Sequence, residues 1–212
     1  MKKNLMMAFS LSLICYFIII NVQVFAEPSE FEYYVSLQID NNNYVNRYGL
    51  GHSSIQQIDK NDSSVKPFIH KGSTMLPMRA VVSILPIDGP PTYDVEWYES
   101  ERKAVIMMKP AFSHEVILAE FWIGSNTAVY YDENGKNPKR VTIPSEPMIV
   151  NSRTYLPMRA VIDSLIVDSL NRYEIEWVPS KQGIVMFWFG EAPKNVMFPD
   201  GSRIEFWIQA GK

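Results

Sequence analysis

One eight-residue string occurs twice in this chain, at an offset of 80 residues. Thr74-Met75-Leu76-Pro77-Met78-Arg79-Ala80-Val81 returns as Thr154-Tyr155-Leu156-Pro157-Met158-Arg159-Ala160-Val161, with only the second position changed. The same offset carries Pro67 to Pro147, Ile69 to Ile149, Leu85 to Leu165, Tyr93 to Tyr173 and Glu96-Trp97 to Glu176-Trp177. Agreement over so many positions is duplication. The chain uses one structural unit twice, and whatever fold it adopts must accommodate both copies.

The copies read alike. Leu76 and Leu156 end a strand, and Pro77 and Pro157 suit the start of a helix, where a missing N–H costs nothing. Ala80, Val81, Ile84 and Leu85 fall at helical spacing and predict one apolar face. Val161, Ile162, Leu165 and Ile166 repeat it, with the second helix expected to reach about Leu170. Pro86 ends the first helix early. Tyr93, Val95 and Trp97 alternate with Asp94 and Glu96, the pattern of a half-buried strand, and Tyr173, Ile175 and Trp177 follow suit. Further strands are predicted at 33–39, 104–108 and 183–189. The strands at 116–123 and 203–208 are expected to close each copy. Residues 44–66 are expected to form a hairpin with a long loop. Pro199-Asp200-Gly201 is a strong turn signal.

This pattern resembles the copper amine oxidase N-terminal-like domain, or stalk domain. That family has a strand ending in Ile-Gly, a hairpin, Pro-x-Ile, a polar turn, Thr-x-x-Pro-Leu/Met-Arg-Ala-Val, a short helix and a strand ending in Glu-Trp. The second copy supplies Ile123-Gly124, Pro147-Met148-Ile149, Asn151 to Val161 and Tyr173 to Trp177. The first supplies Ile39-Asp40, Pro67-Phe68-Ile69, Gly72 to Val81 and Tyr93 to Trp97. It departs from the pattern at Asp40, where Gly is common, and at Pro86 and the segment 88–92. The resemblance implies an α+β fold of two tandem units, each a small antiparallel curled sheet on one short helix. It implies an exported protein of Gram-positive bacterial type. It also implies a non-catalytic role, since the copper chemistry of amine oxidases belongs to a separate, much larger domain.

The ends and the charge bound the rest. Lys2 and Lys3, the apolar run from Leu5 to Ile20 and Val24-Phe25-Ala26 read as a secretory signal over residues 1–26. An uncleaved anchor is the alternative, because the run approaches the roughly 20 residues that cross a bilayer. The first unit is expected at 27–112 and the second at 113–212, with closing strands able to serve both. Cys15, the only cysteine, falls in the signal, so the exported chain has no disulfide and no thiolate chemistry. Removing Lys2 and Lys3 leaves 18 basic against 23 acidic residues, a net charge of −5. That balance argues against nucleic acid as a partner. It leaves the membrane as a partner only through the signal segment. The short basic cluster from Lys136 to Arg140 reads as a solvated hairpin tip.

Arg79 and Arg159 are the sharpest polar features. Each falls in the first turn of a helix, where the macrodipole disfavours a cation. Glu96 and Glu176 are the expected partners, giving a helix-to-sheet ion pair in each copy. The alternative is an Arg that binds an anion or a carbohydrate. Val185, Phe187 and Phe189 face one side of a strand and Met186 and Trp188 the other. Such a strand is buried on both faces, against the other unit, or presents one face to a partner. Trp122, Trp188 and Trp207 are therefore candidate stacking residues for a ligand. His52, His70 and His114 lack ligand spacing, so neither a metal nor a cofactor is expected. The pairs Glu99/Glu101 and Asp132/Glu133 read as solvated charge, and no nucleophile elbow or phosphate loop appears.

The sequence thus predicts an exported, non-catalytic binding or spacer module at the cell envelope, with a polysaccharide or an envelope protein as ligand. Two alternatives remain. One is a glycan hydrolase with carboxylates between the units, the other a structural oligomerisation module.

Overall fold

The computed structural model describes residues 32–49, 53–85, 92–110, 114–165, 173–188 and 192–206. The expected signal segment with Cys15, His52, Pro86, the second helix beyond Leu165, Phe189, Trp207 and the Trp188 side chain lie outside the described residues. Among those described, no helix is long and apolar enough to cross a membrane.

The fold is mostly antiparallel sheet, and the repeat is visible element by element. Strand β4 (Phe68–His70), β5 (Ser73–Pro77) and helix α1 (Met78–Ser83) recur as β11 (Met148–Val150), β12 (Arg153–Pro157) and α2 (Met158–Ser164). β6 (Thr92–Tyr98) and β7 (Lys103–Lys109) recur as β13 (Tyr173–Val178) and β14 (Gly183–Trp188). Between them lie matching 3-10 turns at Glu99–Glu101 and Pro179–Lys181, each ended by a left-handed residue, Arg102 or Gln182. Ahead of these come β1 (Glu32–Gln38), β2 (Asn43–Gly49) and β3 (Ser54–Gln57) in one half. Their counterparts are β8 (Val116–Trp122), β9 (Thr127–Tyr130) and β10 (Lys139–Thr142). Pro77 and Pro157 end strands in extended backbone just before the helix rather than opening it. Helices this short are not stable alone. They form because Ala80, Val81 and Ile84, and Ala160, Val161 and Leu165, are buried against the sheets.

The strands do not divide at residue 112 into two separate sheets. One five-stranded sheet runs β13-β14-β1-β2-β3 and the other β10-β9-β8-β7-β6, so each joins the end of one half to the start of the other. The four-stranded sheet β11-β12-β5-β4 also takes two strands from each half. The reason is chain locality. β7 and β8 are close in sequence and pair as antiparallel neighbours. That leaves β1 and β14 to pair with each other, which closes the assembly. The expected closing strand of the second half does not take this place. Among the described residues, β16 (Arg203–Glu205) pairs with β15 (Asn195–Met197) alone.

The pairing scheme has an internal two-fold. In the central sheet Leu76 lies opposite Leu156, its own repeat counterpart. The Ile39 N–H donates to the Gln182 carbonyl at 2.9 Å, and the Ile123 N–H to the Arg102 carbonyl at 3.0 Å. Asp40 N–H reaches the Pro67 carbonyl at 3.0 Å, and Gly124 N–H the Pro147 carbonyl at 2.9 Å. Asp40 holds a positive φ of 61°, against 75° for Gly124, so the departure from Gly leaves the turn intact. Aspartate tolerates this region better than most side chains do.

One core joins the three larger sheets and both described helices. Leu37, Leu76, Val81, Ile106, Phe121, Leu156, Val161 and Met186 all belong to it. Each large aliphatic side chain fully buried there contributes roughly 1.5–3 kcal/mol. A second, smaller cluster lies behind β14. Val185 and Phe187 meet Tyr34 and Val45 on the sheet and Val196 and Phe198 around the β15–β16 hairpin. That hairpin, rather than the other half of the chain, covers the second face of β14. The Ser36 hydroxyl donates to the Met197 carbonyl at 2.5 Å, and the Met197 N–H donates to the Tyr34 hydroxyl at 2.9 Å. Gly183 allows the approach: a Cβ there would sit 2.4 Å from the Leu37 carbonyl and 2.8 Å from the Phe198 ring.

Candidate functional site

The repeated polar and aromatic residues converge on two matching clefts. Met78 and Arg79 open α1, and Trp97 ends the alternation of β6. These residues face Ile149, Ser152, Arg153 and Thr154 from the opposite hairpin, together with Ile58 and Asp59 from the loop after β3. The cleft encloses about 530 Å³. Adding the repeat offset gives the second cleft. Met158, Arg159 and Trp177 face Ile69, Gly72, Ser73 and Thr74, with Pro144 from the loop after β10, around about 370 Å³. Each cleft takes its Arg and Trp from one half and its hairpin from the other. The mixed central sheet is what brings them together.

Arg79 and Arg159 are exposed, and so are Glu96 and Glu176. The expected ion pairs do not form. Arg159 instead donates to the Ile175 carbonyl at 2.6 Å, and Glu96 accepts from the Tyr98 hydroxyl at 3.0 Å. Arg79 acts on Asp94 only at a distance: that carboxyl is lowered first by Lys109, and Arg79 is the smallest of its causes. Strand alternation explains the miss. Glu96 and Glu176 lie on the solvent side of β6 and β13, opposite the face that carries Val95 or Ile175 into the core. At the exposed end of a short helix the macrodipole costs an arginine little.

The rims differ. Across the Arg79 cleft, Arg153 reaches Asp59 at 2.9 Å and Asp62 at 3.0 Å, tying the hairpin to the loop. The Ser64 hydroxyl and then Arg153 hold the Asp62 carboxyl at about 2, against an ordinary 3.8. Beside the Arg159 cleft, Lys71 reaches Glu146 at 2.6 Å, with His70 at 3.4 Å from the same oxygen. Lys71 first, then the Glu146 backbone N–H and His70, bring this carboxyl to about 2 from 4.5. The Trp97 indole donates to Glu99. Pro179 stands at the matching place beside Trp177.

Of the three candidate stacking residues, only the Trp122 side chain is described. It is half-buried on the outer face of β8, with the Lys103 ammonium 5.7 Å from its ring. Lys103 is itself bonded to Glu120 at 2.8 Å and Glu101 at 2.9 Å. Trp122 thus stands in an internal cation–π arrangement away from either cleft. The tryptophans that do line the clefts, Trp97 and Trp177, read in sequence only as half-buried strand residues. Their repetition beside the repeated arginines was the signal. No group of three or more His, Cys, Asp or Glu side chains poised to hold a metal occurs among the described residues.

The chain belongs to the copper amine oxidase N-terminal domain family, whose model matches residues 56–185. In those oxidases this region is not the catalytic one. No curated protein and no solved structure matches the chain.

Proposed function

We propose that this is an exported, non-catalytic binding module that works at the cell envelope, with a polysaccharide or an envelope protein as ligand. The pair of clefts carries the reading. Each combines an exposed arginine, a tryptophan open to solvent and an exposed isoleucine, with Ile69 46 % and Ile149 44 % accessible. An aromatic plane beside a hydrogen-bonding cation is a general device for holding sugar rings or polar side chains. Two such clefts on one chain also suit a spacer that joins two ligand segments.

The hydrolase alternative needs a carboxylic acid kept protonated near its leaving group. Around the Arg79 cleft the carboxylates are committed the other way. Asp59 and Asp62 pair with Arg153, Glu99 accepts the Trp97 indole, and Asp62 is held down rather than raised. The test is a pull-down with insoluble cell-wall glycan and other insoluble polysaccharides, followed by quenching of Trp fluorescence with soluble fragments. Saturable binding, weakened by Trp177→Ala and Trp97→Ala and unmoved by Trp122→Ala, is the expected result. Binding that depends on Trp122 alone would remove the clefts from consideration. No binding to any glycan would turn the search to protein partners.

A further inference from the structure

Building on the proposed binding role, we infer that the two clefts select ligands of different charge, and that the Arg159 cleft takes a carboxylated sugar. The charges lining the clefts decide this. Arg79 and Arg153 are matched by Asp59 and Glu99 in the first, so its lining is balanced. Among the described residues, Arg159 is the only charged one lining the second. A lone guanidinium in a concave site raises the local concentration of anions and leaves a carboxylate partner unmet.

Geometry favours a sugar over a bare anion. The Arg159 guanidinium is anchored by its 2.6 Å bond to the Ile175 carbonyl, on the strand that also carries Trp177. Only one of its five N–H donors is needed for that bond, and the rest remain for a ligand. The Trp177 side chain is 43 % accessible and Ile69, across the cleft, 46 %. Ser73 and Thr74 add hydroxyls to the same wall. A pyranose ring stacked on Trp177 with its carboxylate on Arg159 would use all of these groups. A uronic acid and an amino sugar bearing a lactyl carboxylate present the same chemistry.

The test is titration of the exported protein, followed by Trp fluorescence and calorimetry. The probes are oligouronides, their methyl-esterified forms, and muropeptide-free glycan fragments that carry the lactyl group. Arg159→Gln and Arg79→Gln are compared directly, with melting curves run on both to confirm folding. The expected result is about tenfold weaker binding of at least one carboxylated probe in Arg159→Gln, as for loss of one charge-assisted bond. The esterified probe should lose affinity similarly, Arg79→Gln should cost the carboxylated probe less than Arg159→Gln does, and added salt should weaken binding. Which acid binds more tightly identifies the source. Equal binding of charged and esterified probes, or equal losses in the two Arg variants, overturns the inference and leaves the binding role standing. Absence of binding to any charged or neutral sugar overturns the inference together with the polysaccharide reading.

Discussion

In the Arg79 cleft, Arg153 spans from the β11–β12 hairpin to two aspartates in the facing loop. In the Arg159 cleft the matching hairpin reaches its loop through one lysine, Lys71, and one glutamate. The backbone beneath is the same. Hydrogen bonds from Asp40 and Gly124, and from Ile39 and Ile123, find equivalent carbonyls in the two halves. Buried backbone groups must be paired, so a duplicated fold keeps its frame. Exposed rim side chains carry no such obligation. Ser73 stands at the place of Arg153, and Pro179 at that of Glu99. Duplication preserved the scaffold of a site and freed its electrostatics to diverge.

The comparison breaks most severely at its centre. Leu76 and Leu156 face each other across the central sheet, and both are fully buried. Leu76→Ala and Leu156→Ala should each cost about 2–5 kcal/mol, by lost burial and the cavity left behind. The two costs should be close, because the positions are equivalent. The double variant should cost less than their sum, since the residues share one cavity. Urea unfolding of the four proteins measures this. Strictly additive or widely unequal costs would mean that the halves do not meet at this pair as equals.

The next contrast is between the ties. Arg153→Ala removes contacts to two carboxylates, whereas Lys71→Ala removes one. Partly exposed ion pairs contribute little singly, and more in a network. Arg153→Ala should lower the melting temperature slightly but measurably, and Lys71→Ala less. The reverse order would show that the loop after β3 holds its position without Arg153. Added salt should narrow the gap between each variant and the parent.

Much of this frame was legible in the sequence, and the partnerships were not. The octapeptide predicted β5–α1 and β12–α2, and helical spacing from it identified residues that are buried in α1 and just beyond its end, Ala80, Val81, Ile84 and Leu85. Alternation marked Tyr93, Val95 and Trp97 as one face of a strand. Nothing local told β14 to pair with β1, because strand partnership is decided by distant contacts. The same gap hid both clefts, whose walls come from opposite halves. It also made Glu96 and Glu176 look like partners for the arginines, since sequence proximity to Trp97 and Trp177 said nothing about which face they occupy. The two-faced pattern of β14 correctly required a cover. Of the β15–β16 hairpin that supplies it, the turn at Pro199-Asp200-Gly201 and a strand from Arg203 were legible, but not that they fold back over β14.

Acid separates the two ties by the pH at which each begins to fail. Both Asp62 and Glu146 have depressed folded values, so both stabilise the fold fully above their ordinary pKa and lose that effect as pH falls through the folded one. For Asp62 the window runs from 3.8 down to about 2. For Glu146 it opens earlier, at 4.5, and also ends at about 2. The Glu146 tie should therefore weaken first on acidification. In melting curves taken from pH 6 to pH 2, Glu146→Gln should close its gap to the parent starting near pH 4.5. Asp62→Asn should hold its gap until about pH 3.8. The effects are small because both carboxylates stay in contact with solvent, and the order of onset is the quantity to read. Simultaneous onset would mean that the two carboxyls do not start from ordinary values of 3.8 and 4.5 in the unfolded chain, and acid would then not tell the two ties apart.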